Sequence, residues 1–196
     1  PDRGYALAAL AGTLEMPSLT PSVIRGVAQA RVDPRLLALS HDFVGDLAET
    51  VALIWPDPPT PPGPPPGLSE TVERLRATSR AARPGLLDEL FDRLDPSARF
   101  ALIKLCAGGM RVGVSARLAR TALAEEFGRP LSRIEELWFA LSPPYADLFA
   151  WLEGGEEPEA DLSLAFRPMM LANPLEPERF ETLAPADHIA EIKWDG

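Results

Sequence analysis

Asp95-Pro96-Ser97-Ala98-Arg99-Phe100-Ala101-Leu102-Ile103-Lys104-Leu105-Cys106 runs into Ala107-Gly108-Gly109-Met110-Arg111-Val112-Gly113-Val114-Ser115. Aspartate before proline opens a helix, because the carboxylate accepts from first-turn N–H groups and proline fits the first helical position. Phe100, Leu102, Ile103 and Leu105 supply an apolar side. Gly108-Gly109 stops that helix, and Ser115 is placed to cap the next. A helix bounded by such signals, and followed at once by another, predicts an all-α domain of many helices.

Outward from this stretch the pattern repeats. After Ser115, the residues Leu118, Ala119, Ala122, Leu123 and Phe127 lead to Gly128, a helix stop. Ser132 with Glu135 reads as a capping box, with Ile134, Leu137, Trp138 and Leu141 facing inward. Pro143-Pro144 breaks that helix, and a last one covers Tyr145 to Trp151. In the other direction, Leu86, Leu87, Leu90, Phe91 and Leu94 form one apolar side. Val72, Leu75 and Ala82 form another, on a helix beginning near Ser69. Residues 56–67, almost all proline and glycine, predict an exposed extended loop, either a connector inside one domain or a docking segment. Before it, Phe43, Val44, Leu47, Val51, Leu53 and Ile54 predict a helix reaching Trp55. Asp33-Pro34 opens a helix holding Leu36, Leu37 and Leu39, and Thr20-Pro21 opens one striped by Val23, Ile24, Val27 and Ala30. His41 falls at a junction and reads as structural. Residues from Tyr5 onward are helical with little lead-in, which reads as a start inside a longer chain.

Composition sets bounds on function. With 46% apolar residues the chain can bury a core. No apolar run approaches the ~20 residues of a membrane span, and no secretion-signal pattern opens the sequence. A single cysteine, Cys106, allows no internal disulfide, fits a reducing compartment and lies in an apolar run that predicts a buried, inert thiol. The net charge of −10 argues against a simple nucleic-acid binder. Its distribution matters more: Arg99, Lys104, Arg111, Arg117 and Arg120 form a basic run without an acid, while Glu153, Glu156, Glu157, Glu159 and Asp161 gather elsewhere. That acidic, glycine-containing stretch reads as a linker after a helical domain at 1–155. Phe166-Arg167-Pro168-Met169-Met170-Leu171-Ala172 and the segment from Ile189 to Trp194 both look extended.

Two stretches carry candidate chemistry. In residues 108–115, glycines allow close backbone approach, and a helix start offers N–H groups to an anion. Arg111, Arg117 and Arg120 add positive charge suited to a phosphodiester backbone. The same glycines also serve a plain interhelical turn. The second stretch is Glu191-Ile192-Lys193-Trp194-Asp195-Gly196. A lysine at the end of a short strand, before an Asp-Gly turn, becomes nucleophilic if it is desolvated; the same pattern describes an exposed hairpin lysine.

Taken together, these stretches resemble one family. Leu102-Ile103-Lys104-Leu105, then residues 108–115, then 166–172, then Glu191 to Gly196, with Val44-Gly45-Asp46-Leu47-Ala48-Glu49-Thr50 upstream, are similar to the N-terminal part of ATP-dependent DNA ligases of the bacterial type with a helical DNA-binding domain. The resemblance implies ATP and Mg2+ as cofactors of the full-length enzyme and nicked duplex DNA as partner. Lys193 would attack the α-phosphate of ATP and carry AMP, which would pass to the 5′-phosphate of the nick before the 3′-hydroxyl displaces it. Glu191 would accept from the adenine amino group, and Asp195 and Gly196 would shape the turn that presents Lys193. Gly109, Met110, Arg111, Gly113, Ser115 and Arg117 match the DNA contacts of that family, with Arg120 on the same basic face. The implied layout is a helical DNA-binding domain at 1–155, a linker at 156–184 and the start of an adenylation domain, with an extended or β tail, at 185–196.

The remaining nucleotidyltransferase motifs and the OB-fold domain are missing from these residues. The 196-residue chain alone is therefore expected to bind duplex DNA without adenylating or ligating. The implied protein is a cytoplasmic, nucleoid-associated monomer serving replication, repair or recombination. Two other readings stay open. One is a covalent nucleotidyltransferase of the RNA-ligase or capping type; the other is a helical protein–protein scaffold.

Overall fold

The computed structural model describes residues 1–58, 63–108, 110–159, 175, 180 and 182–189. Contacts divide the chain into two units, Pro1–Ala165 and Phe166–Gly196. Among the described residues of the first unit every regular element is a helix. Its elements are α1 (Asp2–Leu10), α2 (Pro21–Gln29), α3 (Pro34–Val44), α4 (Leu47–Ile54), α5 (Leu68–Ala77), α6 (Arg83–Arg93), α7 (Pro96–Cys106), α8 (Ala116–Phe127), α9 (Leu131–Ala140) and α10 (Ala146–Leu152). No strand occurs among the described residues. In the second unit these include one turn of 3-10 helix, Pro185–Asp187, and an exposed Ile189 without regular structure. The expected extended stretch at 166–172 and the tail beyond Ile189 lie outside the described residues.

Side-chain caps start several helices, at Asp33, Asp95 and Ser115 as the sequence predicts and at Asp46 where it predicts an unbroken helix. Asp33 accepts from Arg35 and Leu36, Asp46 from Glu49, Asp95 from Ala98 and Ser115 from Leu118. Gly45 and Gly128 end α3 and α8 in the left-handed conformation that favours glycine. The α5 start is capped from a distance, since the Ser69 N–H donates to the Asp2 carboxylate at 2.7 Å.

Four local expectations are corrected. Phe43 and Val44 belong to the last turn of α3, because Gly45 at φ 79° stops the helix and Asp46 begins a new one. Ala82 is not on α5, which ends at Ala77. The exposed Ala30 is replaced in the stripe of α2 by the fully buried Ala28. The Ser132–Glu135 capping box does not form. Pro130, whose ring presets a helix-compatible φ, starts α9 two residues earlier, and the N–H groups of Arg133 and Ile134 bond its carbonyl.

Two apolar cores fill the unit. The first joins α2, α3, α4, α6 and α7, with Leu75 of α5; Leu87, Leu90 and Phe91 of α6 are fully buried in it. Burying each such side chain contributes about 1.5–3 kcal/mol relative to leaving it exposed. Trp55 meets Phe91 edge-on at 5.1 Å, and its indole N–H donates to Asp92 at 2.9 Å. The second core joins Ala8 of α1 to α9 and α10, with Leu123, Ala124 and Phe127 of α8 against it. Helix α1 packs on both α5 and α8, so it is the seam between the two cores.

The connection at residues 56–67 runs without helix where it is described, and Arg93 donates to the Pro64 carbonyl at 2.7 Å. It is thus tied back to α6 within the same unit. Arg3 pairs with Glu153, and Arg133 with Glu157, so the first acidic residues after α10 also remain attached to this unit.

Candidate nucleic-acid interface

The basic run from Arg99 to Arg120 separates into two kinds of residue once folded. Arg99 is only 7% exposed. Its guanidinium donates to the Phe91 carbonyl at 2.6 Å and the Ala52 carbonyl at 3.1 Å, near the C-terminal ends of α6 and α4. A cation suits the negative end of a helix dipole. Burial lowers its pKa, partly offset by Asp92, Asp57 and Asp95. Lys104 pairs with Asp46, the cap of α4, and that contact is the first cause holding the Asp46 carboxyl below its usual pKa. Arg120, expected on the basic face, is a correction: it is 9% exposed, 3.5 Å from Glu135, and lies over the rings of Trp138 and Phe139. Position 120 sits on the side of α8 that packs on α9, so its charge is turned inward.

Arg111 and Arg117 behave differently. Both are exposed, and neither has an ion-pair partner among the described residues. Arg111 stands in the loop between Gly108 at φ 70° and Gly113 at φ 73°, two positions where the chain direction requires a left-handed turn. A Cβ at either glycine would meet no neighbour, so it is conformation, not crowding, that calls for glycine. Met110 is half-buried. Ser115 accepts from the Leu118 N–H at 3.1 Å, so one first-turn donor of α8 is already used. Gly109 lies outside the described residues, as do Glu191, Lys193, Asp195 and Gly196.

A second basic group went unread in the sequence. Arg74, Arg76, Arg80 and Arg83 fall within ten residues with no acid among them, the same signal that marked residues 99–120. Arg74 is bound to Glu89, and Arg76 donates to the Glu15 carbonyl and lies over Tyr5. Arg80 and Arg83 have no ion pair among the described residues. They line a cleft of about 280 Å³ with Ser18 and Thr20. Arg83 also lines a larger cleft of about 720 Å³ whose far wall is the Pro143–Tyr145 turn and Trp138. Trp138 and Tyr145 are stacked at 4.7 Å and buried, so they close that wall instead of offering free ring faces.

Cys106, at the C-terminal end of α7, is buried, and burial pushes its thiol up to about 12. It is not a nucleophile near neutral pH. Among the described residues no cluster of three or more His, Cys, Asp or Glu could hold a metal ion. No helix among them is long and apolar enough to cross a membrane. Comparison with protein-family models, curated proteins and solved structures returns no match.

Proposed function

We propose that this chain is the DNA-binding portion of an ATP-dependent DNA ligase, gripping nicked duplex DNA while Lys193 serves as the adenylate carrier of the whole enzyme. The observation that carries the reading is a pair of exposed cations with no ion pair among the described residues, Arg111 and Arg117, on a glycine-shaped loop leading into α8. Guanidinium forks donate two parallel hydrogen bonds to phosphate oxygens, and a loop able to approach closely brings them to the sugar-phosphate rail. Such contacts fix position on the duplex without reading bases. They displace condensed counterions, so binding weakens as salt rises. In the ligase reading, ATP supplies the AMP that joins Lys193, and magnesium neutralises phosphoryl charge. Glu191 selects adenine through its amino group.

The test is binding to nicked duplex, single-stranded DNA and RNA at two salt concentrations. The duplex is expected to bind best, with affinity falling as salt increases. Arg111→Ala is expected to weaken binding on every sequence alike and to reduce the salt slope by about one. Equal affinity for all three nucleic acids, or an Arg111→Ala protein that binds as the parent does, overturns the reading.

A second reading has one observation in its favour. Leu36, Leu39 and Phe43 fall on one side of α3, and Phe43 is 92% exposed. That is the face a helical protein–protein scaffold would present. Such a protein would be indifferent to both the duplex and the Arg111 substitution.

A further inference from the structure

We infer that Arg80 and Arg83, with the hydroxyls of Ser18 and Thr20, form an oxyanion site that takes a phosphoryl group. The two arginines and the two hydroxyl residues line one cleft of about 280 Å³, and among the described residues no acidic one lines it. Neither arginine has an ion pair among the described residues, although the protein carries a net charge of −10. Most other arginines of the first unit have an acidic or carbonyl partner, including Arg31, Arg74, Arg93 and Arg133.

Arg83 is the decisive member. Its Nε is covered and makes no hydrogen bond among the described residues. A guanidinium keeps its charge at any working pH, and a buried donor left unmade is unfavourable. The rest of the group is only partly covered and faces open clefts on two sides. An anion in the smaller cleft would restore the missing electrostatic partner.

The surroundings favour a multi-oxygen anion. The cleft wall from Ser18 to Thr20 is pinned at its centre, where the buried Leu19 donates its N–H to the Cys106 carbonyl at 3.1 Å. Thr20 precedes α2 without capping it, because its hydroxyl is engaged with that of Ser22 at 2.9 Å. In the first turn of α2, Pro21 has no N–H and the Val23 N–H donates to the Thr20 carbonyl at 3.0 Å, which leaves the Ser22 N–H to add to the attraction for negative charge. Several donors from different directions suit a phosphoryl group better than a planar carboxylate.

The phosphoryl group has two sources, a nucleic-acid backbone or a small phosphorylated molecule, and the experiment separates them. Inorganic phosphate is titrated into the whole chain against chloride at matched ionic strength, following the amide resonances of Ser18 to Val23. Saturable shifts with phosphate and none with chloride are expected. Arg80→Ala, at an exposed position, should weaken phosphate at least fivefold. Arg83→Lys, which keeps the charge and loses the fork, should also weaken it, while Arg111→Ala should leave it unchanged. If Arg80→Ala also weakens nicked duplex binding, the group belongs to the backbone; if duplex binding is untouched, the ligand is a small molecule. Phosphate shifts no larger than those of chloride, or unchanged phosphate affinity in both variants, overturn the inference. It does not rest on the ligase reading, since Arg111→Ala tests that separately.

Discussion

At the residue scale, the same side chain performs opposite tasks according to what it meets. Arg99 and Arg111 are twelve positions apart in one basic run, yet Arg99 fastens two helix ends while Arg111 faces solvent. Replacing Arg99 by Met leaves the Phe91 and Ala52 carbonyls without their donor. The unfolding free energy should drop by about 2–4 kcal/mol, the range for leaving buried polar groups unpaired. Denaturant titration checks this, and the slope should stay unchanged. Charge clustering was legible in the sequence, but the availability of each charge was not. Pairing of Lys104 with Asp46, or Arg120 with Glu135, is decided by helix packing between residues far apart or by which side of a helix turns inward. The cluster at Arg74 to Arg83 was equally visible as a run, and only the fold shows that Arg80 and Arg83 share a cleft.

At the element scale, helix ends explain most of what could be read. Asp33, Asp95 and Ser115 each accept from their own first turn, a local interaction that sequence spacing reveals, and Asp46 does the same at a break that the apolar pattern hides. The failure at Ser132 is equally local, because two start signals competed and the earlier one, Pro130, prevailed. The Asp46 cap has a further role through Lys104, and both contacts hold its carboxyl below the ordinary value. A lowered folded pKa contributes stability that is complete above the unfolded value, about 3.9. That contribution disappears as pH falls through the folded pKa. Asp46→Asn should therefore melt below the parent at pH 6, and the gap should narrow progressively below about pH 4. A gap that widens on acidification would contradict the assignment. Glu89, held low chiefly by Arg74, shares the same sign.

At the scale of the whole molecule, two cores are held together by a short helix at the beginning of the sequence. Its Gly4 is the tight point: a Cβ there would sit 1.6 Å from the Pro144 carbonyl oxygen, which is backbone and cannot swing aside. Gly4→Ala should lower stability by about 1–3 kcal/mol, as overpacking does. Fluorescence of Trp138 and Trp151 in the second core should report the loss before that of Trp55 in the first. The all-α class was legible because caps and apolar stripes are short-range. The division into two cores was not, since it depends on where α1 returns after more than a hundred intervening residues. The terminal lysine stretch was legible as a pattern, yet its geometry lies outside the described residues.

The seam has a bearing on synthesis. Within the helical unit α1 is synthesised before its tight neighbour, the Pro144 turn, which lies near the end of that unit. The earlier core can close once α7 has left the exit tunnel, whereas the later one must wait with Ala8 uncovered. Between the synthesis of α1 and that of α10 the second core therefore stays open at Ala8, the period in which a chaperone would find it.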